Sequence, residues 1–178
     1  MVMAILATNA PKAIASCIKR IRQRKLGKQR RSLPELSGYD LTPRILRGAL
    51  KELAQCNCQI FSILAIGTGI TPAVSPNVLY NDMASVLIGE CWRRIPIAEL
   101  IIDRRDDKRT RFQFDEYLKN RFGKKLIIRH EDSMREPALQ AVDLVAYAIR
   151  QKVQYNTDEF YRLIQSKIIW EGIYQKQA

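Results

Sequence analysis

The sequence predicts an α/β layered fold, a mixed and mostly parallel sheet flanked by helices. Three observations carry this expectation. Short apolar runs of strand length recur at Met1–Ala7, Cys58–Ile66, Ile97–Asp103 and Leu126–His130. Longer segments of helical periodicity alternate with them. Those segments open on capping residues or on a proline in the first turn, as helices do.

In order, Met1–Ala7 reads as a strand. Thr8 or Asn9 caps a helix with Pro11 in its first turn and an apolar stripe of Ile14, Cys17, Ile18 and Ile21. A basic connection runs from about Leu26 to Tyr39. Asp40 or Thr42 caps a second helix that buries Ile45, Leu46, Ala49, Leu50 and Leu53. Cys58–Ile66, an apolar run but for Gln59 and Ser62, reads as a central strand. After a loop over Gly67–Pro76, Asn77 caps a helix carrying Leu79, Met83, Val86, Leu87 and Cys91. Ile97–Asp103 is the next strand, and Asp106 or Asp107 caps a helix over Lys108–Phe122. Leu126–His130 is a strand, and the loop Glu131–Glu136 leads into a helix from Pro137. Thr157 caps a last helix with Phe160, Tyr161, Leu163, Ile164 and Ile168.

The 178 residues suit a single domain spanning 1–178, large enough for a core. No apolar run is long enough to span a bilayer, so no membrane partner is expected. The formal charge of +12 favours polyanionic partners, nucleic acid first. Cys17, Cys56, Cys58 and Cys91, with the single histidine His130, do not have the spacing of a structural zinc site. They read as reduced thiols of a cytoplasmic protein. Ile14–Cys17 is expected to be helix stripe rather than a lipoprotein cleavage box.

The helix from Pro137 to Ile149 is apolar except at Gln140, Asp143 and Tyr147, which share one face at i, i+3 and i+7. An acid on a core helix needs a cation, a hydrogen-bond donor or water. Its plain reading is a structural acid bonded to a backbone N–H or to Arg104 or Arg105. Asp103 ends a strand, where α/β proteins commonly build sites. If Asp103 and Asp143 converge, the pair suits Mg²⁺ or Mn²⁺ and metal-assisted phosphodiester hydrolysis. Gln140 and Tyr147 would then support Asp143 through hydrogen bonds. His130 is expected to be structural, and Gly67-Thr-Gly69 is too short a glycine motif for a phosphate loop.

Lys19, Arg20, Arg22, Arg24, Lys25, Lys28, Arg30 and Arg31 form a run with no interleaved acid. Such a run can track a phosphate backbone. It contains no aromatic residue, which argues against base stacking within it.

Several pieces in order carry a family resemblance: Leu79-Tyr80-Asn81, Ile101-Ile102-Asp103-Arg104, Asp132-Ser133, and Leu139-Gln140-Ala141-Val142-Asp143-Leu144. The chain resembles the domain of unknown function 3800 family of microbial and phage proteins, most closely from Asn77 to Lys167. The resemblance implies a ribonuclease-H-like fold and acidic residues that hold divalent metal. By position it implies Asp103 and Asp143 as metal ligands and Glu35 as a further acid, with Asp132 and Ser133 in the supporting loop. The family opens on a strand bearing Asp-Glu-Ser-Gly. This chain begins at what would be the second strand, and no acid precedes Glu35. Either the gene start is placed too late or that strand is lost, and its loss would leave a ligand and a strand fewer, with an exposed sheet edge that invites a homodimer. Two functions follow as expectations: a Mg²⁺- or Mn²⁺-dependent nuclease or phosphodiesterase, and a catalytically inactive nucleic-acid-binding or assembly module.

Overall fold

The computed structural model describes residues 1–26, 35–65, 76–104, 107–123 and 126–174, with backbone only at 24, 25 and 76. Within them the elements run β1 (Val2–Ala7), α1 (Pro11–Lys25), α2 (Pro43–Leu53), β2 (Gln59–Ala65), α3 (Pro76–Arg94) and β3 (Glu99–Asp103). There follow α4 (Lys108–Phe122), β4 (Ile127–Glu131), α5 (Pro137–Tyr155), α6 (Glu159–Ile164) and β5 (Ile168–Tyr174). The expectations at Lys28, Arg30, Arg31, Gly67–Gly69, Arg105 and Asp106 lie outside the described residues, as do those for the side chains of Arg24 and Lys25.

The fold is α/β, with its strands in two sheets. One has the order β1-β2-β5 and the other is the pair β3-β4. β1 runs antiparallel to β2, from Val2 opposite Leu64 to Ala7 opposite Gln59. β2 is parallel to β5, and β3 is parallel to β4, with Asp103 opposite Glu131.

Period-two alternation explains how the layers divide. Val2, Ala4 and Leu6 of β1 pack against the core shared by α1, α2, α5 and α6. Met3, Ile5 and Ala7 point the other way, into the core under α3. Phe61 and Ile63 of β2 join that core, while Ile60 and Leu64 join the first. A strand covered on both faces is apolar at nearly every position, as Cys58–Ile66 is. Met3 and Ile5 also touch the third cluster, which holds Leu100 of β3 with Phe114 and Leu118 of α4. The two sheets thus share apolar packing beneath α3 without sharing a hydrogen-bonded edge.

The α1 stripe is as expected: Ile14, Cys17, Ile18 and Ile21 are buried. The caps at Thr42 and Asp107 are as expected and others differ, Asn77 lying inside α3. Ala10 takes the N-cap of α1, while the Thr8 hydroxyl donates to the Asn57 carbonyl and accepts from the Ala10 amide. Thr42 is the N-cap of α2 without a side-chain bond. Asp107 caps α4 and accepts from the amides of Arg109 and Thr110. The last helix is shorter than the sequence suggests. It begins after Asp158, ends at Ile164, and passes through a 3₁₀ turn over Gln165–Lys167 into β5. Ile168, expected on the helix, starts the strand.

Candidate functional site

The C-terminal end of β3 meets two other pieces of chain, the turn after β4 and the segment before α2. Ser133 sits where they join. Its hydroxyl donates to Glu35 Oε2. Its amide favours the charged form of Asp103. Its carbonyl accepts from Gln140 Nε2 at 2.5 Å. One serine therefore serves two carboxylates and ties them to α5.

Asp103 carries the perturbed titration of this cluster. Burial pushes its pKa up; the Ser133 amide draws it down; the like charges of Glu35 and Asp132 raise it further. Desolvation and like charge both disfavour the carboxylate, so a cation placed among these groups would restore it. Among the described residues, no group of three or more His, Cys, Asp or Glu side chains stands in an arrangement that could hold a metal. The donor set nonetheless fits one class of ion. Mg²⁺ usually keeps several waters and takes one or two carboxylates plus substrate phosphate. Asp103 and Glu35 meet that lower requirement. They do not form the closed cage that structural zinc needs.

Gln140 is almost fully buried, at 2% exposure, and every polar end of its amide is used. Besides the Ser133 bond, its Oε1 accepts from the Leu36 amide at 3.1 Å and from Arg22 Nη2 at 3.1 Å. Arg22 brings the basic helix α1 to the edge of the acidic cluster. Lys19 and Arg20, on the same helix, are exposed. Arg20 lies 3.9 Å from Glu52.

Asp143 lies one turn further along α5. It accepts from the backbone amide of Gly38 at 3.0 Å. Among the described residues its partner is thus a backbone N–H rather than an arginine. Arg104 instead donates to the His130 carbonyl at 3.3 Å. Tyr147 packs edge-to-face on Tyr39, with ring centroids 4.9 Å apart. Arg150 bonds the Tyr39 hydroxyl. The stripe Gln140, Asp143, Tyr147 continues through Arg150, and its whole length holds one strap of chain, residues 35–39. Gly38 is required there by space, because a methyl group would overlap the Tyr147 ring.

Compared with protein-family models, curated proteins and solved structures, the chain matches none.

His130 and Asp103 border the same small cavity. The His130 Nε2 pairs with Asp115 Oδ1 at 2.8 Å, and its Nδ1 is buried with no partner among the described residues. The cavity lies beside Ile102 and Asn81 and is about 20 Å³, room for roughly one water. Asp115 was not legible as the partner of His130, since the two meet across separate elements. The structure also adds Gly38, Tyr39 and Arg150 to the site, none of which stood out in the sequence. Every one of the cysteines is free and buried. Among the described residues, no helix is long and apolar enough to cross a membrane.

Proposed function

We propose that this protein is a divalent-metal-dependent phosphodiesterase or nuclease acting on nucleic acid, with Asp103 and Glu35 as the metal-holding pair. The observation that carries this reading is the convergence of both acids on Ser133, with Asp103 at the exposed end of β3 crowded by the charges of Glu35 and Asp132. The resemblance to the domain of unknown function 3800 family, with its ribonuclease-H-like fold, supports the same assignment. Mg²⁺ or Mn²⁺ bound there would activate water and steady the leaving oxygen. The chain's own residues do the rest. Ser133 orients both carboxylates, Gln140 fixes Ser133, and Asp132 adds negative charge that favours a cation. Asp143 works through the strap, by holding the Gly38 amide and with it the position of Glu35. Lys19, Arg20 and Arg22 supply positive charge for the phosphate backbone.

The test is degradation of labelled single-stranded and double-stranded DNA and RNA with Mn²⁺. Asp103→Ala and Glu35→Gln are expected to abolish cleavage. Cleavage that survives both substitutions excludes the mechanism.

A second reading is a catalytically inactive nucleic-acid-binding or assembly module. It is favoured by β1, which among the described residues is paired on one side only. Such an edge suits a homodimer by strand pairing. This reading predicts salt-sensitive binding, no metal-dependent cleavage, and a dimer by light scattering.

A further inference from the structure

We propose that Tyr39 and Arg150 form a stacking platform for one unpaired base of a single-stranded nucleic acid, in register with the acidic cluster. The inference rests on the nucleic-acid reading above and adds the class of strand.

Tyr39 is 62% exposed, yet it is braced on several sides. The Tyr147 ring meets it at 84°, and Arg150 Cζ lies 5.5 Å from its ring centroid. Arg150 also bonds its hydroxyl and is itself held by Gln154 Oε1 at 2.7 Å. The backbone just before it is pinned through the Gly38 amide to Asp143. An aromatic ring both displayed and rigid loses little entropy when a flat partner stacks on it. A guanidinium lying over a tyrosine ring is the kind of surface on which unpaired bases stack.

The strap fixes distance as well as orientation. Glu35 sits at the acidic cluster and Tyr39 at the far end of the same ordered segment. Four residues of chain reach at most about 14 Å. A base stacked on Tyr39 therefore places a phosphate within a few nucleotides of Asp103. A duplex, whose bases are already stacked on each other, gains nothing from this surface. Asp40 beside Tyr39 is exposed, so the attraction is to the face of a base rather than to phosphate.

The experiment is fluorescence anisotropy with short labelled single strands and the matching duplex, in EDTA so that nothing is cleaved. The proteins are wild type, Tyr39→Ala and Tyr39→Trp, each checked for an unchanged circular dichroism melt. Tyr39→Ala is expected to weaken single-strand binding by about 10- to 100-fold. Duplex binding and the salt dependence of single-strand binding should stay as in wild type, because no phosphate contact is lost. Tyr39→Trp should bind single strands at least as well as wild type. Equal loss on strand and duplex, or no loss on the strand, overturns the platform while leaving the nucleic-acid reading intact. If wild type binds neither strand nor duplex, both fall.

Discussion

The Gly38 amide donates to the Asp143 carboxylate at 3.0 Å, so an acid on a core helix is used to hold a strap of backbone. Asp143→Asn keeps a carbonyl oxygen for that amide; Asp143→Ala does not. The asparagine variant is expected to retain near-wild-type Mn²⁺-dependent cleavage. The alanine variant should lose about 10- to 100-fold, through displacement of Glu35. Parallel cleavage assays on the two proteins decide the matter, since a metal ligand at Asp143 would make both substitutions equally damaging.

Gln140 predicts a stability cost. Truncation to alanine strands the buried Leu36 amide and the half-buried Ser133 carbonyl. Each unpaired group costs about 1–3 kcal/mol. Urea unfolding should show a loss of about 2–5 kcal/mol for Gln140→Ala. A double-mutant cycle with Arg22→Ala should return a coupling energy above about 0.5 kcal/mol, because the two side chains share a bond. A loss indistinguishable from zero would remove Gln140 from the account.

Gly38→Ala tests the strap by volume. The added methyl group meets the Tyr147 ring, and overpacking of this kind costs about 1–3 kcal/mol. The cost should be local. Hydrogen exchange is expected to rise at residues 36–39 while α1 and β2 keep their protection. Protection lost evenly across the molecule would contradict a separable strap.

Much of this was legible from the order of residues, and the failures are instructive. Apolar runs located β1 to β4 within a residue or two, most plainly β2, because a strand buried on both faces leaves little choice of side chain. β5 was hidden. Phe160, Tyr161, Ile164 and Ile168 keep helical spacing, and no glycine or proline marks the turn at Gln165–Lys167 where the chain leaves the helix. The α5 stripe could be read at Gln140, Asp143 and Tyr147, but what it holds could not. Its partner is a short irregular segment about a hundred residues earlier, with no periodicity to betray it. Ser133 was placed in the supporting loop by resemblance alone; its grip on both Asp103 and Glu35 is a tertiary fact.

Alkaline stability offers a check on the core between α1 and α2. Burial, with the Cys56 thiol beside it, pushes the Cys17 pKa well above the ordinary thiol range near 9.0. The folded state keeps its proton where the unfolded chain loses it. Its stabilising effect is complete below that ordinary value and is lost as pH rises above it, by up to about 1.4 kcal/mol per pH unit. Cys17→Ala should be less stable than wild type at about pH 8 and should show a shallower fall by about pH 10. Denaturation midpoints at the two pH values measure this, and identical slopes for the two proteins would refute the assignment.

The central claim is that Asp103 and Glu35, both attached to Ser133, make one divalent-cation site. Titration of Mn²⁺ into the protein, followed by electron paramagnetic resonance of the free ion, tests it most directly. The account predicts a single saturable site in wild type that disappears in Asp103→Asn and weakens in Glu35→Gln. Unsaturable binding in wild type, or the same isotherm for all three proteins, would contradict it.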